Sequence, residues 1–346
     1  MNDNVREEAY PGIREGRLSI EVTTHCNLAC PHCFARAGNV KPSSLPVNLV
    51  KKIVAEGYDT GYRRLHITGG EPLLWEGLWE LLDYAFGVGY EVLFMNTNGT
   101  LLTADLSKRL SAYNRLSISV SLEGSQAFHD RMRSKDSYRR AVHAIEKALQ
   151  AGIGLFVFTM ATKGLLPELP GFASDLYRRF SGIRHLTLIP ITGDLDGSHA
   201  LSEELFSPED FLRLVRTVSL LNVYGLRTNV LHDPLVIVAS RLLGMPWIPC
   251  TEPLYREGFI TIMANGRIGL SHSTRIGFGT YRPGMVQKVL ASDRYRRAVA
   301  PDEAVCPSCK YIGLCRENGM DRPSEYKWDL RGNVPYCVRV LNGVPS

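Results

Sequence analysis

Short β-branched or apolar runs alternate with helical patterns along the first 230 residues of this 346-residue chain. Such regular alternation predicts parallel strands joined by right-handed crossovers. The predicted strands lie at 17–24, 63–69, 90–97, 116–122, 154–161, 185–191 and 226–231, and the predicted helices between them lie at 46–58, 78–89, 105–113, 137–152 and 169–180. Six consecutive units with no Gly-x-Gly-x-x-Gly turn after the first strand favour an α/β fold of the partial (β/α)6 TIM-like barrel type over a doubly wound sheet.

The pattern changes after a helical stretch at 207–225. Residues 258–273 predict a hairpin that turns on Ala264-Asn265-Gly266, because Asn-Gly is favoured in tight hairpin turns. A cysteine-rich tail with few strand signals follows. We therefore expect a barrel domain at 1–240 and a small cysteine-rich domain at 241–346.

Charge and hydropathy exclude some classes of partner. The chain has 40 Lys and Arg residues against 35 Asp and Glu, a net charge of +5, and these residues are dispersed, so no nucleic-acid partner is expected. The N-terminal segment alternates charges where a signal peptide would be apolar, and no apolar run approaches the length of a membrane span. We expect a cytoplasmic protein without a membrane partner.

Three cysteines, Cys26, Cys30 and Cys33, follow the first predicted strand, where the loops of a barrel carry its chemistry. In a reducing compartment, thiols grouped so closely are more often metal ligands than disulfide partners. They could hold zinc, with His25 or His32 as a fourth ligand. They could equally hold an iron–sulfur cube with one iron left open. The residue types alone leave both alternatives open.

The spacing C-x3-C-x2-C resembles the signature of the radical S-adenosylmethionine (SAM) superfamily. The resemblance continues in "ITGGEPLL" after the second strand, "NTNGTLL" after the third and "SVSLEGSQAFHDRMR" after the fourth. It implies that the three cysteines hold a [4Fe–4S] cluster that binds SAM. The cofactor-binding residues that it implies are Gly69, Gly70, Glu71, Asn98, Ser121 and Arg133. In physical terms, glycines let a main chain approach a ligand closely, and a carboxylate suits an ammonium group.

Four further thiols near the C-terminus, Cys306, Cys309, Cys315 and Cys337, suffice for a second cluster or for a zinc site. This stretch resembles the SPASM or Twitch type of C-terminal extension, which in full form binds two auxiliary clusters. Ser271 and Gly319 stand where that pattern has cysteines. The resemblance therefore implies one auxiliary [4Fe–4S] cluster, two clusters in all, and an electron donor such as flavodoxin or ferredoxin.

Cys250 is left without partners by this assignment. It is a buried packing residue, a stray cluster ligand, or a hydrogen-atom donor in the active site. Its isolation resembles the layout of radical SAM epimerases such as the neomycin epimerase of aminoglycoside biosynthesis. That resemblance implies hydrogen abstraction from a sugar carbon by a 5′-deoxyadenosyl radical and inversion of the centre by hydrogen return from Cys250. The alternatives are a radical SAM dehydrogenase of an alcohol carbon, and an enzyme that epimerises or cross-links a peptide.

The first predicted strand begins at residue 17, which leaves too few residues before it for a leader-peptide domain, so we expect a small-molecule substrate. A polycationic aminoglycoside would need carboxylates near the reacting carbon. The candidates are Asp194 and Asp196 in the loop after the sixth strand, together with Glu123 and Glu252.

Overall fold

The structure is a computed structural model. It describes residues 15–33, 35–39, 41–191, 201–231, 233, 235–249, 257–271, 276–300, 306–317 and 336–344, with residues 306, 316 and 317 described by their backbone alone.

Strands and helices alternate along the chain in the order that the sequence predicts. The strands are β1 Arg17–Glu21, β2 Arg64–Thr68, β3 Val92–Thr97, β4 Leu116–Ser121, β5 Gly154–Ala161, β6 Leu186–Pro190, β7 Thr228–Val230, β8 Phe259–Ile262, β9 Arg267–Gly269 and β10 Gly277–Thr280. The helices are α1 Val47–Thr60, α2 Leu78–Val88, α3 Ala104–Ser111, α4 Gln126–Met132, α5 Ser137–Gln150, α6 Leu169–Arg179, α7 Pro208–Val223, α8 Leu235–Leu242, α9 Met285–Leu290, α10 Asp293–Val299, α11 Ile312–Glu317 and α12 Tyr336–Asn342. Short 3-10 turns lie at Pro72–Leu74, Ser202–Glu204 and Cys306–Ser308.

The chain forms two compact units. The first comprises Met1–Ser121, Arg139–Leu155 and Tyr255–Ala300, and the second comprises Leu122–Tyr138, Phe156–Leu254 and Pro301–Ser346. The domain boundary expected near residue 240 remains a prediction.

In the first unit the strand order is β10–β9–β8–β1–β2–β3–β4. Strands β8, β1, β2, β3 and β4 are parallel, while β9 and β10 are antiparallel to their neighbours. The hairpin β8–β9 turns on Ala264-Asn265-Gly266 as predicted, with the Asn265 side chain accepting a hydrogen bond from the Arg267 N–H at 3.0 Å. Because β8 pairs with β1, this hairpin extends the sheet that begins with the first strand.

One face of this sheet is apolar and lies under helices. Leu18, Ile20, Ile67 and Ile118 on this face are completely buried. Helix α1 approaches it at Gly57, where an added Cβ would lie 2.5 Å from Leu18 Cδ2 and 2.8 Å from Tyr90 Oη. Burial of such a face supplies most of the stability of parallel α/β structures.

The second unit contains the order β5–β6–β7, with both pairs parallel. Helix α7 begins with a capping box in which the Ser207 hydroxyl accepts from the Asp210 N–H and the Asp210 carboxylate accepts from the Ser207 N–H. The C-terminal helix α12 packs on α7 through an edge contact of the Phe211 and Tyr336 rings, whose centroids are 5.9 Å apart. The segment with the last cysteines is therefore anchored in this unit.

The α/β fold is thus confirmed, and each predicted strand is present within a few residues of its expected bounds. Strand β7 is shorter than expected, at three residues. Helix α4 was not predicted, although Ser125 caps it by accepting from the Phe128 N–H. Among the described residues, no helix combines the length and the apolar character that crossing a membrane requires.

Gly57 supplies a test of the packing between α1 and β1. We expect Gly57→Val to lower the free energy of unfolding by roughly 1–3 kcal/mol, because the new side chain would overlap Leu18 and Tyr90. Gly87→Ala in α2 is the matched control, since a Cβ there meets nothing within 4 Å. Urea unfolding of both variants measures the difference. Equal stabilities would contradict the packing described.

Candidate functional site

The cysteine loop, residues 22–46, connects β1 to α1. Cys30 is buried, while Cys26 and Cys33 are half-buried. A turn forms where the Cys33 N–H donates to the Cys30 carbonyl at 3.1 Å and the Arg36 N–H donates to the Cys33 carbonyl at 3.0 Å. Two of the three thiols are thus partly accessible from solvent.

Cys26 is surrounded by N–H donors. Its sulfur accepts from the Leu28 N–H at 3.4 Å and from the Asn98 side-chain amide at 3.7 Å. Burial raises the pKa of the Cys26 thiol, and the nearby Glu71 and Cys33 raise it further, while the two N–H donors oppose the shift. In the metal-free chain, Cys26 is therefore a protonated thiol whose conversion to a ligand must release a proton.

The described residues contain no group of three His, Cys, Asp or Glu side chains close enough to share one metal ion.

The loop after β2 carries the Gly-Gly-Glu-Pro motif and packs directly on the cysteine loop. The Gly70 N–H donates to the Thr23 carbonyl at 2.6 Å, and the Glu71 N–H donates to the His25 carbonyl at 2.9 Å. An added Cβ at Gly69 would lie 2.3 Å from the Thr23 carbonyl oxygen, and one at Gly70 would lie 2.3 Å from the His25 carbonyl oxygen. Both glycines are thus required by contact between two protein loops, a constraint that the sequence did not reveal.

Glu71 is completely buried and joins the ends of β2 and β3. One carboxylate oxygen accepts from the Leu73 N–H at 3.1 Å and the Thr97 hydroxyl at 2.8 Å. The other accepts from the Asn98 N–H at 2.8 Å. The Asn98 side-chain amide donates in turn to Asn27 Oδ1 at 3.0 Å. A continuous hydrogen-bonded chain therefore runs from Glu71 through Asn98 to the cysteine loop.

Ser121 is the last residue of β4 in the first unit and is half-buried. The structure thus places it at the carboxyl end of its strand, as the motif predicts.

Arg133 and Glu123 form an ion pair within the second unit. Glu123 is completely buried, and its Oε1 accepts from Arg133 Nη2 at 2.6 Å and from Arg133 Nε at 2.8 Å. Its other oxygen accepts from the Met160 N–H at 2.7 Å. Glu123 is a further candidate for a substrate carboxylate, and this role stays a prediction. In the structure both of its carboxylate oxygens accept hydrogen bonds from the protein.

His129 completes this group. Its Nδ1 accepts from the Glu123 N–H at 3.0 Å, and its buried Nε2 has no hydrogen-bond partner among the described residues. Burial lowers the pKa of His129 to about 3, with a further contribution from the charge of Arg133. His129 is therefore neutral at physiological pH.

Several predicted site residues lie outside the described residues, namely Cys250, Glu252, Asp194 and Asp196. Cys306 begins a 3-10 turn, and its side chain is not described. Cys309, Cys315 and Cys337 are half-buried, and the Cys315 N–H donates to the Tyr311 carbonyl at 3.0 Å in α11. Helices α11 and α12 both contact α8. Cys315 on α11 and Cys337 on α12 thus lie on two helices that share α8 as a neighbour.

The sequence analysis overlooked Glu21, the last residue of β1. It is 7% exposed, and burial raises the pKa of Glu21 to about 7, with a backbone hydrogen bond from Ala264 opposing the shift. The sequence pattern that could have indicated Glu21 is the alternation of polar and apolar residues in Ser19, Ile20, Glu21 and Val22. Such alternation places Ser19 and Glu21 on one face of the strand and Ile20 and Val22 on the other.

The chain is similar in sequence and in fold to known proteins. The family described as "Radical SAM superfamily" matches residues 20–171. A relative named "Mycofactocin maturase MftC" from Mycolicibacterium smegmatis is 27% identical over 334 residues, which cover 93% of this chain and 82% of the relative. The protein of that name from Mycobacterium tuberculosis (strain CDC 1551 / Oshkosh) is 33% identical over 175 residues, which cover 50% of this chain and less than half, 44%, of the relative.

A "Probable GTP 3',8-cyclase" from Methanopyrus kandleri is 30% identical over 228 residues, which cover 62% of this chain and 70% of the relative. Among solved structures, "Native anSMEcpe with bound AdoMet and Cp18Cys peptide" has a TM-score of 0.69 at 17% identity and covers 94% of this chain and 95% of that chain, a likeness of fold.

The chain belongs to the radical SAM superfamily. The protein is a radical SAM enzyme with maturases among its relatives. The predicted membership of this superfamily is thereby confirmed, whereas no comparison shows the likeness to the neomycin epimerase.

His129 predicts a pH dependence of stability. As pH falls below 6.5, the unfolded chain protonates this histidine while the folded protein, with a pKa of about 3, does not. Stability should therefore fall by up to about 1.4 kcal/mol per pH unit below 6.5. Urea unfolding of metal-free protein measures the free energy of unfolding at pH 7.0 and at pH 5.5. The decrease between these two pH values should be smaller by roughly 1 kcal/mol in His129→Gln than in the wild type. Equal losses would refute the burial of a neutral His129.

Proposed function

We propose that this radical SAM enzyme modifies a peptide substrate, with SAM and a [4Fe–4S] cluster bound at the cysteine loop. The observation that supports the cofactor site is the hydrogen-bonded chain from Glu71 through Asn98 to Cys26. This chain connects the Gly-Gly-Glu-Pro loop to the cysteine loop.

The donor set fits an iron–sulfur cluster. Thiolates are the ligands that such clusters prefer, and three of them leave one iron open for another ligand. The N–H groups of Leu28 and Asn98 already point at the Cys26 sulfur. Hydrogen bonds to ligating sulfurs stabilise the thiolate and tune the reduction potential of a cluster. When bound, the cluster and SAM supply the reducing power and the radical chemistry needed to remove a hydrogen atom from carbon.

The surrounding residues would hold the cofactor. Glu71 is a completely buried carboxylate at the ends of β2 and β3, and a carboxylate suits an ammonium group such as that of SAM. Gly69 and Gly70 keep the main chain of this loop tight against the cysteine loop.

Arg133 and Ser121 remain proposed cofactor-binding residues. Glu123 would orient the Arg133 side chain for cofactor binding, because two guanidinium nitrogens of Arg133 contact one carboxylate oxygen of Glu123. Fixing the guanidinium in this way reduces the entropy that it loses when it binds a ligand.

The similar proteins favour a peptide over a sugar as the substrate of this enzyme. The relative from M. smegmatis is named a maturase, and the solved structure of similar fold contains both AdoMet and a peptide. We therefore place the peptide-modifying alternative ahead of the expectation of an aminoglycoside or other small molecule.

The C-terminal cysteines Cys306, Cys309, Cys315 and Cys337 are proposed to hold one auxiliary [4Fe–4S] cluster. Support comes from their number and from the shared packing of α11 and α12 on α8. Such a centre could exchange electrons with a donor of the flavodoxin or ferredoxin class.

An epimerase is the second candidate function, because Cys250 stands apart in sequence from both sets of proposed ligands. A thiol is a suitable hydrogen-atom donor, and return of hydrogen from the opposite face would invert a carbon centre. The thiyl radical left on Cys250 would then take up one electron, from the donor of the flavodoxin or ferredoxin class, and one proton. The proposal applies to a peptide α-carbon or to a sugar carbon. Asp194, Asp196 and Glu252 remain proposed substrate carboxylates in the second case.

Two sets of cysteine variants test the assignment of clusters. We expect about eight irons per reconstituted wild-type chain, and about four both in the triple variant Cys26→Ala, Cys30→Ala, Cys33→Ala and in Cys337→Ala. Only the triple variant should lose the formation of 5′-deoxyadenosine from SAM under reducing conditions. Iron analysis and chromatography measure both quantities. Persistent SAM cleavage in the triple variant would overturn the proposed function.

The outcome at carbon separates the candidate reactions. In D2O, with precursor-type peptides and aminoglycosides as test substrates, an epimerase should give a product one mass unit heavier, and Cys250→Ala should abolish it. An oxidation or a cross-link should give a product two units lighter and should survive Cys250→Ala. We expect modification among the peptides, and a product formed solely from aminoglycosides would reject the peptide proposal.

A further inference from the structure

The second face of the sheet in the first unit is mostly polar, although Phe94 and Phe259 lie on the same side. Its members alternate with the apolar residues under the helices, and the strand registers place Ser19 opposite both Thr261 and His66, Glu21 opposite Thr68, and Asn96 opposite Ser119. All of these except Asn96 are buried. We call these seven residues the polar face.

A buried polar face is unusual for a parallel sheet. Parallel strands that are covered on both sides normally read as continuous apolar runs, and the interiors of complete TIM barrels are filled by branched apolar side chains. Here the apolar face already meets the helices, as the contact of Gly57 with Leu18 shows. The polar face is therefore the interior face of the barrel strands, and its composition suits a polar ligand better than a packed core.

Four residues of the polar face form hydrogen bonds with one another. Ser19 Oγ lies 3.2 Å from His66 Nδ1, and the Ser119 hydroxyl donates to Asn96 Oδ1 at 2.9 Å. Glu21 differs because it is an acid. Its carboxyl group receives a backbone hydrogen bond from Ala264, and no Lys, Arg or His in the described part of the chain forms an ion pair with it.

A carboxylate buried without a counter-ion is costly, and a cation that enters the site removes much of that cost. Glu21 stands at the carboxyl end of β1, five residues before Cys26, which is the end of barrel strands where ligands bind. We propose that Glu21 binds a positively charged group of the substrate, an ammonium or a guanidinium, at the polar face. This inference rests on the proposed function, since it assumes that a substrate enters the barrel interior.

The raised pKa of Glu21, about 7, agrees with this role. The site disfavours the charged carboxylate when no cation is present, and a bound cation favours it. The other charged or titratable side chains at alternate positions on the same side of β1 and β2 are Arg17, Arg64 and His66. Arg17 lies over the Phe259 ring, and Arg64 contacts Glu15 at 3.8 Å. On β8 the polar-face residue is the uncharged Thr261, which lies opposite Ser19.

Acetylated tripeptide amides with lysine, arginine or norleucine between two alanines test the proposal. Binding to the cluster-reconstituted enzyme with SAM is measured by calorimetry. In the wild type, we expect the lysine or arginine peptide to bind at least tenfold more tightly than the norleucine peptide. In Glu21→Gln, which can retain the hydrogen bond from Ala264, the preference should fall below twofold at unchanged iron content.

A pH series adds a signature that a structural role for Glu21 would not produce. Wild-type affinity for the preferred cationic peptide should rise about tenfold between pH 6 and pH 8 as Glu21 ionises, while affinity for the norleucine peptide stays flat. His66→Gln should keep this rise and Glu21→Gln should lose it. Absence of charge preference in the wild type, absence of binding, or a preference that survives Glu21→Gln would each overturn the inference.

The two proposals fail in different ways. If the wild type forms no 5′-deoxyadenosine from SAM, the proposed function fails, and with it the inference. If SAM cleavage is normal and the charge preference is missing, only the assignment of Glu21 fails.

Discussion

The backbone contact between the Gly69-Gly70 segment and the Thr23–His25 segment is the constraint on which the candidate site depends. Two hydrogen bonds, at 2.6 and 2.9 Å, hold the loops after β1 and β2 together. No side chain larger than glycine fits between them, because a Cβ at either position would lie 2.3 Å from a carbonyl oxygen. This contact fixes the place of the cysteine loop relative to Glu71.

From that contact the rest of the site follows. Glu71 is buried beside the cysteine loop and binds the Asn98 N–H, and Asn98 reaches the Cys26 sulfur and Asn27. Since β1, β2 and β3 are parallel neighbours, their carboxyl ends meet at one edge of the sheet. Three loops far apart in sequence therefore supply the thiols, the carboxylate and the amide of one site. The polar face lies on the same strands.

The sequence predicts the architecture well because the signals of the strands and of the helices are local. Apolar periodicity locates β1 to β7 and the main helices, and Asn265-Gly266 locates the β8–β9 turn. The pairing of β8 with β1 could not be predicted, because nothing local in residues 259–262 indicates their partner. Helix α4 was missed because its 7 residues are too few to display a helical repeat of apolar side chains.

Side-chain roles were harder to predict than backbone structure. Glu123 looks like a loop carboxylate in the sequence, but Arg133 and Met160 occupy its oxygens. Glu21 looks like an ordinary strand residue, yet burial raises its pKa to about 7. In both cases the role of the side chain depends on its burial and on a partner that is distant in sequence. Neither property can be deduced from the neighbouring residues in the sequence.

The central claim is that SAM binds the open iron of a cluster held by the cysteine loop. The most direct measurement is pulsed paramagnetic resonance of the reduced enzyme with SAM labelled by 15N at its amino group and by 17O at its carboxylate. If SAM binds at this cluster, we expect hyperfine couplings from both labels in the wild type and their loss in the triple cysteine variant. An unchanged spectrum on addition of SAM, in wild-type protein shown to carry a reduced cluster, would contradict it.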